Sequence, residues 1–162
     1  MRSSSGRNPG WARSEAVAQA APVAFVADRS VKVLTHSGAA DQGALTVSWP
    51  TTDGRDLRDD LIRDVLAAVM TLRLTEKLRE ELGATYSPEA FSYSQLAFKG
   101  FGHLTAFATV PPAAMDDTAK AVRAIAAELA AAPVSADLLD RARNPVRAGL
   151  ERSETQNTGW LT

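Results

Sequence analysis

Apolar and polar side chains alternate along Ala44-Leu45-Thr46-Val47-Ser48-Trp49-Pro50. Leu45, Val47 and Trp49 share one face and Thr46 and Ser48 the other, which predicts a half-buried strand ended by Pro50. Thr51-Thr52-Asp53-Gly54 is turn material. From Asp56 the spacing becomes helical: Leu57, Leu61, Val65, Val69 and Leu72 form a stripe, widened by Ile62, Leu66 and Met70 and continued by Leu78 and Leu82. Asp56, Asp59 and Asp60 fall where the helix dipole favours negative charge, and Gly83 is placed to end the helix. A helix over 56–82 would be about 40 Å long, with Thr71 to Thr75 as the place for a bend or break.

Tyr86 to Phe98 and Phe101 to Val110 read as the arms of an antiparallel hairpin turning at Lys99-Gly100, and Pro111-Pro112 stops the second arm. Met115 to Ala132 predicts an alanine-rich helix with Val122, Ile125 and Leu129 as its larger core residues. Ser135 can cap a third helix starting at Ala136, with Leu138, Leu139, Ala142, Val146 and Leu150 on one side and a kink at Pro145. Upstream, Val23–Val26 and Val31–Leu34 flank Asp28-Arg29-Ser30 as a strand–turn–strand. Strands, a long helix, a hairpin and two further helices together predict an α+β fold, a largely antiparallel sheet with helices packed on one face.

At 162 residues and 45% apolar content the chain is long enough for one domain with a hydrophobic core. Residues 1–21 read as a flexible lead-in and 22–162 as the domain. Arg13 and Glu15 interrupt the place where the apolar run of an export signal should lie. The formal net charge of −1 offers no basic footprint for nucleic acid. No apolar run approaches the roughly 20 residues a membrane helix needs. Nothing here assigns a compartment. The end, Asn157-Thr158-Gly159-Trp160-Leu161-Thr162, supplies no closing element and reads as cut off.

The most promising chemistry lies at Arg79-Glu80-Glu81-Leu82-Gly83-Ala84-Thr85-Tyr86-Ser87, where the long helix is expected to stop and a strand to begin. Two readings fit. Arg79 caps helix-end carbonyls and Tyr86 is a half-buried strand residue; or both face a cleft and donate hydrogen bonds to the carbonyl oxygens of a bound peptide. Glu76, Glu80 and Glu81 read as a solvated helix face. Ser87, Ser92 and Ser94 have no histidine to activate them. His36 and His103 are the only histidines and the chain has no cysteine, so no metal site is expected. Trp11, Trp49 and Trp160 read as packing anchors.

The segment from Leu78 to Ser87 resembles the Arg-x-x-x-Gly-x-x-Tyr element in the C-terminal half of pitrilysin/insulinase-type zinc peptidases, the inverzincins. The loop His36 to Gln42, the stretch Pro133 to Arg143 and Asn157 to Leu161 are similar to other parts of that half. The resemblance implies half of a clam-shell, metallohydrolase-like architecture that closes on a peptide. Its zinc, held by a His-x-x-Glu-His motif, belongs to the other half. Carried over, Arg79 anchors a substrate backbone carbonyl, and Tyr86 donates to the oxygen that turns negative during cleavage. This chain has no His-x-x-Glu-His: His36 precedes Ser-Gly-Ala-Ala and His103 precedes Leu-Thr-Ala-Phe. The resemblance therefore implies a substrate-binding half, inactive alone and without its own cofactor, whose partner supplies zinc. A catalytically dead assembly domain, as in respiratory-complex core subunits of this superfamily, is the alternative; a remnant with no stable role is a third.

Overall fold

The alternation at Leu45, Val47 and Trp49 becomes strand β1, Gly43–Thr51, in a computed structural model that describes residues 23–25, 29–35, 37–82 and 88–155. Helix α1 (Leu57–Leu82), strands β2 (Glu89–Ser94) and β3 (Gly102–Val110), a 3-10 turn (Pro112–Ala114) and helices α2 (Met115–Ala131) and α3 (Ala136–Thr155) follow. The three strands form an antiparallel sheet in the order β1-β3-β2. Helix α1 lies across β2 and β3, α2 lies across β1 and β3, and α3 packs on α1. The α+β architecture expected from the sequence is the one observed.

The core forms where these helices meet the sheet. Ala67, Met70 and Leu74 of α1 and Val122 and Ile125 of α2 enclose Ala90, Leu104 and Ala106, with Val47 and Trp49 half-buried beside them. Val47, Ala106 and Ala90 lie side by side across the three strands. Two alanines there leave room for the helices to approach, and Leu74 fills the space with 0% of its surface exposed. A second cluster of Leu78, Ala108 and Val110 extends the core toward the end of α1. Burying each large apolar side chain contributes about 1.5–3 kcal/mol.

The predicted stripe on α1 is corrected in part. The buried face runs through Ala67, Met70, Leu74 and Leu78, at helical spacing, together with Val69, whereas Leu57 (66% exposed), Ile62 and Leu66 stay largely in solvent. No break occurs at Thr71 to Thr75, because both hydroxyls turn inward and donate to the carbonyls one turn back, Ala67 and Thr71. Pro50 does not end β1. It pairs in register with His103, and Thr51 continues the strand. The edge position explains this, since the missing N–H faces away from β3.

The first hairpin arm, described over Glu89–Ser94, stops short of the expected Phe98; Tyr86 and Ser87 lie outside the described residues, and a loop over 95–101 joins the arm to β3. The turn itself falls as predicted: Phe101 N–H bonds Phe98 O at 3.1 Å, and Gly100 supplies the positive φ of 74° at the third position. Gly102 must lack a side chain, because a Cβ there would strike the Thr52 carbonyl. The expected strands at Val23–Val26 and Val31–Leu34 are not seen where the chain is described: residues 23–25 and 29–35 have no strand pairing, Val31, Val33 and Leu34 are exposed, and Val26 lies outside the described residues. β-branched residues fit a strand only where a neighbouring strand completes the ladder. Ser135 caps α3 as expected, its hydroxyl accepting Leu138 N–H at 3.3 Å. That helix continues through Pro145.

The opposite face of the sheet carries no helix among the described residues. It holds the Ser48–Thr105 hydroxyl pair at 2.8 Å and a run of rings. Phe25 stacks on Phe101, and His103 sits between Phe101 and Tyr93.

Candidate functional site

The end of α1 is where the sequence placed its two candidate residues. Arg79 lies in the last turn of α1, exposed, and pairs with no carboxylate among the described residues. Two other charges along the helix tie it to its neighbours. Arg73 Nη2 meets Glu128 Oε2 at 2.7 Å, tying α1 to α2, and Arg141 Nη2 meets Glu76 Oε1 at 3.4 Å, tying α1 to α3. Glu76 is thus an interhelix ion-pair partner on a wet surface, worth about 0–1 kcal/mol. Tyr86, with Gly83 and Ser87, lies outside the described residues. The structure thus places Arg79 exposed in the last turn of α1, and the pairing of Arg79 with Tyr86 stays an expectation.

At the other end of α1 a polar knot fixes the helix to the hairpin loop. Asp53 accepts Gly100 N–H at 2.6 Å and Arg55 N–H at 3.2 Å, and Arg55 Nη2 donates to Leu96 O at 3.1 Å. The Gly100 N–H above all, and then that of Arg55, holds the Asp53 carboxyl below its ordinary pKa. Arg63 closes the knot by donating to Thr52 Oγ1, Asp53 O and Asp60 Oδ1 at 2.7, 2.9 and 3.0 Å. Asp56 caps the helix, accepting the N–H groups of Arg58 and Asp59.

Between these ends a groove of about 430 Å³ runs along β2. Asp64, Ala67, Ala68, Thr71 and Leu72 of α1 form its floor, residues 89–92 one wall, and Arg141, Ala142 and Pro145 of α3 the other. The Thr71 hydroxyl accepts Ala90 N–H at 2.8 Å, so the Ala90 backbone points away from β3. Gln95 N–H, five residues on, bonds Phe101 O in the partner arm. By the alternation of an antiparallel ladder, Glu89, Phe91 and Tyr93 pair inward, while the N–H and C=O of Ser92 and Ser94 face the edge of the described sheet. The Ser92 hydroxyl oxygen is shielded from solvent and has no hydrogen-bond partner. Asp64 has no cationic partner among the described residues, and burial, then the neighbouring Asp60, raises its pKa while Arg63 pulls it back.

Sequence reasoning missed this groove. Asp64, Ser92 and Arg141 are far apart in the chain, and Asp64 looks like one more helix-face charge. The one local signal was Thr71, a hydroxyl set among the apolar positions of a helix. His103 sits in the sheet as expected, and Trp49 is the packing anchor it was taken for; His36, Trp11 and Trp160 lie outside the described residues. No three His, Cys, Asp or Glu side chains cluster at metal spacing among the described residues. No helix of the described chain is long and apolar enough to cross a membrane.

Comparison with known proteins agrees with the fold. The family model described as the peptidase M16 inactive domain matches residues 10–146. No curated protein matches.

Proposed function

The chain belongs to the inactive-domain family of M16 peptidases, and on that premise we propose that it is the peptide-holding half of a zinc-dependent peptidase. Membership makes it a non-catalytic half of a peptidase-like protein. Its own residues do not fit the metal: there is no His-x-x-Glu-His in the sequence. The zinc and the water-activating groups therefore belong to a partner half, on the same or another polypeptide.

In this reading Arg79 holds a backbone carbonyl of the peptide, and Tyr86 donates its phenolic hydrogen to the carbonyl oxygen that gains negative charge. The observation that carries the reading is the state of Arg79: a guanidinium at the mouth of a helix end, exposed and without a carboxylate partner among the described residues. Arg73 and Arg141, by contrast, each meet a carboxylate of a neighbouring helix. Such a donor is worth most where charge develops, and losing one costs about 3–4 kcal/mol of barrier.

The test is reconstitution. The chain is mixed with a metal-bearing M16 half, and cleavage of a fluorogenic peptide is followed. Arg79→Ala should raise KM. Tyr86→Phe should lower kcat by about 10²–10³-fold with little change in KM. Equal turnover with phenylalanine at that position refutes the assignment. A second reading, an inert assembly domain, is supported by the apolar groove lined by Leu57, Leu61, Ile62, Val65 and Leu139, which is open to solvent. It expects a stable complex indifferent to both substitutions.

A further inference from the structure

We propose that the apolar groove between the first turns of α1 and Leu139 of α3 binds the chain of a medium-length alkyl carboxylate, whose head pairs with Arg58. The groove measures about 640 Å³, within the range of natural ligand pockets. Leu57, Leu61, Ile62, Val65 and Leu139 form its walls, and Leu57 and Ile62 are each more than half exposed. Arg58 is the only charged residue on it. The arginines nearest in sequence are engaged: Arg55 meets Asp53 at 3.3 Å and Arg63 meets Asp60 at 3.0 Å. The Arg58 side chain is exposed and meets no carboxylate among the described residues. An apolar trough with one unengaged cation is complementary to a molecule that is apolar along its length and anionic at one end.

Size and charge select that ligand over other occupants of an apolar face. Six lining side chains are far fewer than the roughly 20–30 residues a side of a stable protein interface, so the groove alone is sized for a small molecule. From Leu57 to Val65 it follows eight residues of helix, about 12 Å, which a saturated chain of about ten carbons covers. A bilayer is disfavoured. Asp56, Asp59 and Asp60 stand at the same helix start and would repel an anionic membrane surface, which binds basic clusters instead. Of these, Asp60 is held by Arg63 and Asp56 by the N–H groups of Arg58 and Asp59, so one carboxylate can meet Arg58 from the groove side. The groove along β2 offers no such match, because Asp64, Glu89 and Arg141 put both signs of charge on its walls. The proposed site uses neither Arg79 nor Tyr86.

Methyl NMR reads the site directly, because Ile62 in the groove and Ile125 in the core are the only isoleucines of the chain. The full chain, labelled at its isoleucine methyls, is titrated at neutral pH with octanoate or decanoate below their micelle-forming concentrations. Decanoate should shift the Ile62 signal to saturation at millimolar concentration while Ile125 stays in place. Octanoate should bind about fourfold more weakly than decanoate, since each half-covered methylene is worth about twofold. Octanol and octylammonium, which cannot pair with a guanidinium in this way, should bind at least fivefold more weakly than octanoate. Arg58→Gln should weaken octanoate at least fivefold and octanol less than twofold, whereas damage to the fold would weaken both. Arg79→Ala and Tyr86→Phe should leave decanoate binding within twofold, so failure here and failure of the peptidase reading are separate results. An Ile62 signal that decanoate does not move, equal movement of Ile125, or undiminished octanoate binding by Arg58→Gln overturns the proposal. So does tighter binding to phosphatidylserine vesicles than to decanoate, which would make the face a membrane contact. A dimer that Leu57→Gln dissociates would likewise overturn it, by showing that a second copy covers the groove.

Discussion

Replacing Thr71 by valine tests the contact that holds β2 on α1. The swap keeps the shape of the side chain and leaves helix propensity nearly unchanged. What it removes is the oxygen that accepts Ala90 N–H at 2.8 Å and donates to Ala67 O at 3.1 Å. Ala90 is 8% exposed, so water has little access to the orphaned N–H, and a methyl group would now face it. Leaving such a donor unpaired costs about 1–3 kcal/mol. At roughly 2–4 °C per kcal/mol for a chain of this size, the melting temperature should fall by about 2–12 °C. Urea unfolding gives the free energy, and hydrogen exchange locates it. The Ala90 amide should exchange faster in the variant by more than that of Ala106 in the central strand does. Thr71→Ser should keep Ala90 protected although it also loses a methyl. A loss below about 0.5 kcal/mol on the valine substitution, with Ala90 still protected, would refute the reasoning.

Two more outcomes follow from the same structure. Leu74→Ala should destabilise by about 2–5 kcal/mol in urea, because the side chain is fully enclosed where α1, α2 and the sheet meet; a loss under about 1 kcal/mol would mean the core is elsewhere. The Gly100 and Arg55 N–H groups depress the Asp53 pKa in the folded state, so its contribution is present above the ordinary aspartate value of about 3.9 and is lost as pH falls through the folded value. The urea midpoints of the parent and Asp53→Asn should therefore differ at pH 7 and converge below that value, and a gap unchanged at low pH would contradict the assignment.

Period-2 alternation found β1 because Leu45, Val47 and Trp49 face helices on one side while the other side is open. Helix α1 was legible from its length and the acidic residues at its start, yet its buried face was misplaced. The helix carries apolar residues nearly all round, so spacing alone could not tell Leu57 from Leu74. Burial was decided by Ala90 and Ala106, whose small side chains admit the helix over its later turns. Val31, Val33 and Leu34 show the opposite failure, a local strand pattern with no described strand beside it. The Arg79 to Tyr86 element was visible as a motif, and the family match supports the kinship it implied. The groove at Ser92 was not visible, since its edge exists only once the register of β2 on β3 is set.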